Sequence, residues 1–332
     1  MAHPGPLNLI TDVPGLSVGH ATDERVRTGV TAVLLPGGWN AAADVRGGGP
    51  GEREVSALAL ENLVGQAHAI VFSGGSVFGL GAGDGVTAAL SLKGQGLKLH
   101  PASPHLPIVP TAILHDLGNG GDKTFGLEPP YRRLGVEAVE AAGESFALGA
   151  VGAGRGAKAG LIPGGIGSAS VALENGLVVG ALVAVNPLGS VFMPDGRTFW
   201  AWPFEMAGEF GGVRPGADAP LAHDPLPALS RLKTAGRVDA GANTTLAVVA
   251  VNAGLTGPQL KRVAIMAHDG MARAVHPAHT PFDGDIVFAV AKGDAPVDRH
   301  ADVALIGSAA ADCLARAIAR GVYESNRTAD GD

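Results

Sequence analysis

Apolar residues along this chain come in short runs broken by glycine and proline, and their spacing switches between strand and helix periods. Residues 30–35 read as an apolar strand closed by Pro36-Gly37-Gly38, and 67–72 as a buried strand. Between them, Val55, Leu58, Ala59 and Leu63 recur at helical spacing over 53–64. Ser73-Gly74-Gly75-Ser76 makes a turn into a second helix ending near Leu92; 108–114 is a strand candidate and 131–145 an amphipathic helix. Two apolar strands, 168–173 and 177–186, turn at Glu174-Asn175-Gly176, a hairpin signal. Residues 187–242 carry little periodicity and read as a long functional loop. After a wholly apolar strand at 245–251, Thr256-Gly257-Pro258-Gln259 has capping-box spacing, and Leu260, Val263, Ala264, Ala267 and Met271 form one stripe. A strand at 285–291, a helix at 304–322 and a frayed polar tail from Asn326 complete the pattern. Strands apolar on both faces, mixed with hairpins and helices, favour an α/β sandwich with helices outside two sheets over an open parallel sheet.

Composition narrows the classes. With 332 residues, 46% hydrophobic and only 17% charged, the chain affords a large core and is not of disordered type. Its 51 glycines are dispersed, implying many tight turns rather than a repeat. A net charge of -7, with both signs interspersed, gives no nucleic-acid footprint and no membrane patch. The single cysteine, Cys313, excludes an intramolecular disulfide and reads as a buried thiol. No secretory signal or spanning apolar run is recognisable, so a soluble cytoplasmic protein is expected.

Three constellations could carry chemistry. Gly152-Ala153-Gly154-Arg155-Gly156-Ala157 matches a dinucleotide fingerprint, but Pro163 and four glycines in the next ten residues exclude the helix it needs, so no cofactor is expected. His276 and His279, with Asp283 and Asp285, offer donors for a metal hydrolase, although Pro277 prevents the histidines from sharing a helical face. The third centres on Asn243-Thr244, where a glycine-rich bend meets the apolar strand. Cutting that bond would expose an N-terminal threonine, a nucleophile carrying its own base, whose α-amine has a pKa of about 8. The same residues also suit an ordinary turn into a core strand. Asp283 and Asp285, one residue apart at a strand start, point the same way and could face the new N-terminus. Asn186, ending a strand, could supply an oxyanion donor, and Lys158 a nearby cation.

Asn8 to Gly15, Asp44-Val45-Arg46-Gly47-Gly48, Ser73-Gly74-Gly75-Ser76, Pro107-Ile108-Val109-Pro110, residues 163–170, Val183-Ala184-Val185-Asn186, Asn243-Thr244-Thr245 and Phe282-Asp283-Gly284-Asp285 carry a resemblance across nearly the whole chain. The sequence resembles the self-processing N-terminal-nucleophile-type hydrolases that include D-aminopeptidase, β-peptidyl aminopeptidase and the 6-aminohexanoate-oligomer (nylon-oligomer) hydrolase. That resemblance implies a four-layer α/β/β/α sandwich formed by one hydrolase domain over 1–332. It also implies self-cleavage into an α fragment, 1–243, and a β fragment, 244–332, and a homo-oligomer, a tetramer of such αβ heterodimers. By position it makes Thr244 the nucleophile, Asp283 and Asp285 supporting acids, Asn186 the oxyanion-side amide and Lys158 the catalytic lysine. His115 falls where the family carries an aromatic on the substrate or oxyanion side. Threonine with paired aspartates leans toward the nylon-oligomer branch. The expectation is therefore an amide hydrolase acting on a linear amide such as an aminohexanoate oligomer. An aminopeptidase releasing D- or β-amino acids, a metal-dependent amidohydrolase and a non-catalytic binding protein are the alternatives.

Overall fold

A computed structural model describes residues 2–219, 224–231, 243–293, 297 and 299–327. The bend at Gly241-Ala242, part of the 187–242 loop and the end of the polar tail lie outside the described residues.

The strands are β1 (Ser17–Asp23), β2 (Thr28–Val45), β3 (Glu52–Arg53), β4 (Gln66–Ser73), β5 (Thr111–Ile113), β6 (Lys158–Ala159), β7 (Ile162–Pro163), β8 (Gly165–Ala172), β9 (Val178–Asn186), β10 (Thr244–Val251) and β11 (Ile286–Ala291). The helices are α1 (Gly81–Leu92), α2 (Tyr131–Glu140), α3 (Gly257–Ala274) and α4 (His300–Arg327). Nine strands form one mixed sheet in the order β3-β5-β4-β2-β11-β10-β9-β8, with β1 also on β2, while β6 and β7 pair apart from it.

The two sheets expected from the sequence are two halves of this one, joined through β2. Residues 28–34 of β2 pair with β1 and residues 30–34 with β4; after an irregularity between Leu34 and Trp39, residues 39–40 rejoin the end of β4 and residues 40–45 pair with β11. Gly37 and Gly38, at φ +75° and +79°, take the left-handed conformations that let the strand bend and continue instead of ending.

Three apolar clusters fill the spaces between four layers. Leu260, Val263, Ile306 and Leu314, from α3 and α4, pack on Ala247, Val249 and Val251 of β10. The opposite face of β10, Leu246, Val248 and Ala250, joins Phe288 and, from the first half of the sheet, Val33, Ile70 and Phe72. Phe72 and Phe288 meet across this interior at 6.3 Å. On the far side, Val86 of α1 and Leu134 of α2 cover Val30, Ala32 and Val71. The period-2 alternation along β10 thus feeds two cores, which is why that strand is apolar throughout.

The hairpin at 174–176 and the capping box of α3 form as expected, with Gln259 Oε1 accepting from the Thr256 N–H at 2.8 Å. The helix expected over 53–64 does not form. Only a single 3₁₀ turn, Val55–Leu58, is present, after Glu54 at φ +60°, and Leu60 and Leu63 are exposed. Val55 and Leu58 reach the core but Leu63 finds no surface to pack on, and a short isolated helix is not self-sustaining. Cys313 is buried in α4, where burial pushes its thiol up to about 12. Among the described residues no helix is long and apolar enough to cross a membrane.

Candidate active site

Strand register builds this site from distant residues. β9 and β10 are antiparallel with Thr244 opposite Asn186; β10 and β11 are parallel, and a bridge extends that pairing to Asn243 and Asp283. Four polar residues are thereby placed at one end of three adjacent apolar strands. All are buried, Thr244 being 2% exposed.

Thr244 Oγ1 donates to the Asn243 carbonyl oxygen at 2.5 Å, and that oxygen also accepts the Gly284 N–H at 2.9 Å. A hydroxyl and a main-chain donor thus converge on one carbonyl. The two carboxylates stand behind this pair. Asp285 accepts the Thr245 N–H at 2.7 Å through Oδ1 and faces His279 Nδ1 at 2.8 Å through Oδ2. Asp283 accepts from the Leu188 N–H at 3.1 Å and, through Oδ2, from the Thr280 N–H at 2.9 Å and hydroxyl at 2.6 Å. Burial, followed by the neighbouring Asp285 charge, raises the Asp283 carboxyl above the usual range despite those donors.

The glycine-rich loop after β2 closes against this turn. The Arg46 and Gly47 N–H groups donate to the Asp285 carbonyl and the Gly49 N–H to that of Asp283. A β-carbon on Gly47 would lie 2.2 Å from Asp285 N, so only glycine permits the approach. Behind Asp285, the His279 and His268 rings meet edge to face at 4.7 Å, and His268 Nε2 lies 3.0 Å from the Asp44 carbonyl oxygen. Burial pulls the His268 imidazole down to about 4. At Asp44, burial is outweighed by hydrogen bonds from Lys261 and Arg46, so this carboxyl sits below its ordinary value.

Residues 8–332 match the model of peptidase family S58. The chain belongs to that family. It is 40% identical to an uncharacterized aminopeptidase of Mycobacterium tuberculosis over 97% of this chain and 96% of that one. It is 31% identical to the 6-aminohexanoate-oligomer endohydrolase of a Kocuria species, over 86% and 75% of the two chains. An L-aminopeptidase D-Ala-esterase/amidase from Ochrobactrum anthropi, described as a variant of the Ntn hydrolase fold, superposes with a TM-score of 0.70 at 21% identity, covering 97% and 87%. This S58 chain is accordingly an amide-bond hydrolase of the α/β class.

Within the S58 chain, the residues singled out from sequence converge unevenly. Thr244, Asn243, Asp283 and Asp285 come together, yet neither carboxylate touches Thr244 Oγ1. Asn186 is adjacent, but its amide is turned away from the Asn243 carbonyl: Oδ1 accepts the Lys158 N–H at 2.9 Å, and Nδ2 faces the His115 carbonyl at 3.4 Å. Lys158 contributes its main chain; its side chain is exposed beside a cavity of about 410 Å³ that Arg27, Asn119 and Arg155 also line. His115 likewise enters through its carbonyl.

The metal-site alternative does not assemble. Among the described residues no three His, Cys, Asp or Glu side chains are grouped to hold an ion. His276 packs edge-on to Trp200 at 5.7 Å and pairs with Ser190, while His279 binds Asp285 and the Asp283 carboxylate is held by Leu188 and Thr280. Pro277 had already separated the two histidines in the sequence. The glycine fingerprint at 152–157 holds only a 3₁₀ turn, Gly152–Gly154, so no helix N-terminus is offered to a pyrophosphate. Two participants escaped the sequence reading. The Gly284 N–H carries no side-chain signal. Arg231 lies in an aperiodic segment and reaches Asn243 Oδ1 at 2.6 Å and Asn186 Oδ1 at 3.3 Å.

Proposed function

We propose that the chain is a self-processing amide hydrolase whose nucleophile is Thr244, freed by scission of its own Asn243–Thr244 bond. One observation carries the reading: a threonine hydroxyl 2.5 Å from the carbonyl oxygen of the preceding residue, with a main-chain donor on that same oxygen. In the first step Oγ1 bonds to the Asn243 carbonyl carbon, while the Gly284 N–H stabilises the charge growing on oxygen. The C–N bond then breaks, and the hydroxyl proton passes to the departing Thr244 nitrogen. Water hydrolyses the resulting ester, leaving the Asn243 carboxyl at the end of 1–243 and restoring the Thr244 hydroxyl at the start of 244–332. The new α-amine, of pKa about 8, serves as general base when the same hydroxyl attacks a substrate amide. Asp285 holds the Thr245 N–H and so fixes the start of the strand bearing the nucleophile.

The proposed substrate is an unactivated linear amide of the aminohexanoate-oligomer type, acted on by a homo-oligomer of αβ heterodimers. A second reading, an aminopeptidase releasing D- or β-amino acids, is favoured by the higher identity of the mycobacterial relative, 40% against 31%. Denaturing electrophoresis of the purified protein should give two fragments, the smaller beginning Thr-Thr-Leu. Thr244→Ala should give one intact chain without amidase activity. Normal amide turnover by that variant would end the proposal. Rates on aminohexanoate oligomers against D- and β-amino-acid amides separate the two substrate readings.

A further inference from the structure

Arg231 is the side chain that gathers the cleavage junction. Its Nη1 donates to Asn243 Oδ1 at 2.6 Å; Nη2 donates to the Lys158 carbonyl at 2.6 Å and faces Asn186 Oδ1 at 3.3 Å; Nε donates to the Gly160 carbonyl at 2.7 Å. Its main chain is tied down separately. The Arg231 N–H donates to the Leu188 carbonyl at 3.0 Å, and the Leu161 N–H donates to the Leu229 carbonyl at 3.1 Å. These anchors, and those to Lys158 and Gly160, do not involve Asn243, so the guanidinium keeps its place whatever occupies the position of that side chain. Of the Asn243 carboxamide, the acceptor is held while Nδ2 is buried without a partner among the described residues. A guanidinium donates and never accepts, so what it reads there is an oxygen.

The carbonyl beside Thr244 Oγ1 belongs to Asn243, so Asn243 is the acyl residue of the first bond attacked. Resting on self-cleavage at Asn243–Thr244, we propose that Arg231 is the acyl-side positioning residue of that cleavage. It holds the Asn243 side chain by its oxygen and so orients the carbonyl that Thr244 attacks.

The chain is its own first substrate, so the test follows release of the fragment beginning at Thr244 from freshly synthesised full-length protein. Arg231→Met and Asn243→Leu should each slow release about tenfold or more, as expected for losing a hydrogen bond to a charged group. The double variant should be no slower than the slower single, because both remove one interaction. Asn243→Asp, which keeps an acceptor, should process at close to the wild-type rate, and Arg231→Lys should fall between wild type and Arg231→Met. Should Arg231→Met fail to fold, Asn243→Leu leaves every other guanidinium contact intact and carries the test. Single variants processing at the wild-type rate, or effects that simply multiply in the double, overturn the proposal. A wild-type chain that never splits overturns the processing reading instead.

Discussion

The two ends of β10 belong to one strand and are equally buried, yet their chemistry is opposite. From Leu246 to Val251 every side chain is aliphatic and packs into one of two cores by alternation alone. At Asn243, Thr244 and Thr245, and at Asp283 and Asp285 beside them, every side chain is polar and at most 2% exposed. Buried polar groups cost free energy unless partnered. Here most are partnered by one another's main chain: Thr245 by Asp285, Leu188 by Asp283, and the Asn243 carbonyl by Gly284. The apolar end supplies rigid register, and the polar end spends that rigidity on holding a hydroxyl against a carbonyl.

If that division holds, injuring the apolar end should cost stability and spare the chemistry. Leu246 is fully buried between the sheet halves, two residues from Thr244. Leu246→Ala should lower unfolding stability by about 2–5 kcal/mol through lost transfer energy and a residual cavity. Below its melting transition the variant should still process at close to the wild-type rate. Denaturant melts paired with gel time courses check both. A stable variant that cannot process would show that the two ends are not separable.

The converse injury is Gly284→Ala. A β-carbon there would sit 2.7 Å from Thr244 Oγ1 and 2.8 Å from the Gly49 carbonyl oxygen, so the hydroxyl or the loop must move. The N–H that meets the Asn243 carbonyl survives the substitution; only alignment is lost. Misplacing a reacting atom by about 1 Å can cost about a hundredfold in rate. Processing should slow to that degree while the melting temperature moves less than in Leu246→Ala. Unimpaired processing would remove Gly284 from the account of the junction.

The same contrast explains what could be read from sequence. The apolar end was legible because periodicity is local: β10, β11, the β8–β9 hairpin and α3 all announce themselves within a dozen residues. β2 was read short because Pro36-Gly37-Gly38 looks like a stop, whereas the left-handed glycines let the strand bend and serve both halves of the sheet. At the polar end, residue types were legible but partners were not. Asp283 and Asp285 were expected to face Thr244; they hold Leu188, Thr280, His279 and the next residue, Thr245. Arg231 binds Lys158, Gly160, Asn186 and Asn243 from three distant segments, a convergence that only the folded sheet creates.

The smallest expected effect is a pH slope, and it compares the site's surroundings with the far half of the sheet. Burial pulls His268, behind Asp285, down to about 4 from an ordinary 6.5. Burial does the same to His20 of β1, also to about 4, against a weaker hydrogen-bond effect at Ala147. Between those values the unfolded chain binds a proton that the folded chain refuses. Each histidine therefore adds stability that is present above about pH 6.5 and is lost as pH falls toward 4. His268→Gln keeps a donor for the Asp44 carbonyl, and His20→Gln keeps a polar partner for Thr31. Each should flatten the fall of melting temperature between pH 6.5 and 4.5. The two should part in processing: His20→Gln leaves its rate unchanged, whereas His268→Gln alters the ring packed on His279, the residue that holds Asp285. A modest change in processing rate on His268→Gln alone would tie the aspartate's orientation to that ring pair. Equal rates in both variants would show that the polar end stops at His279.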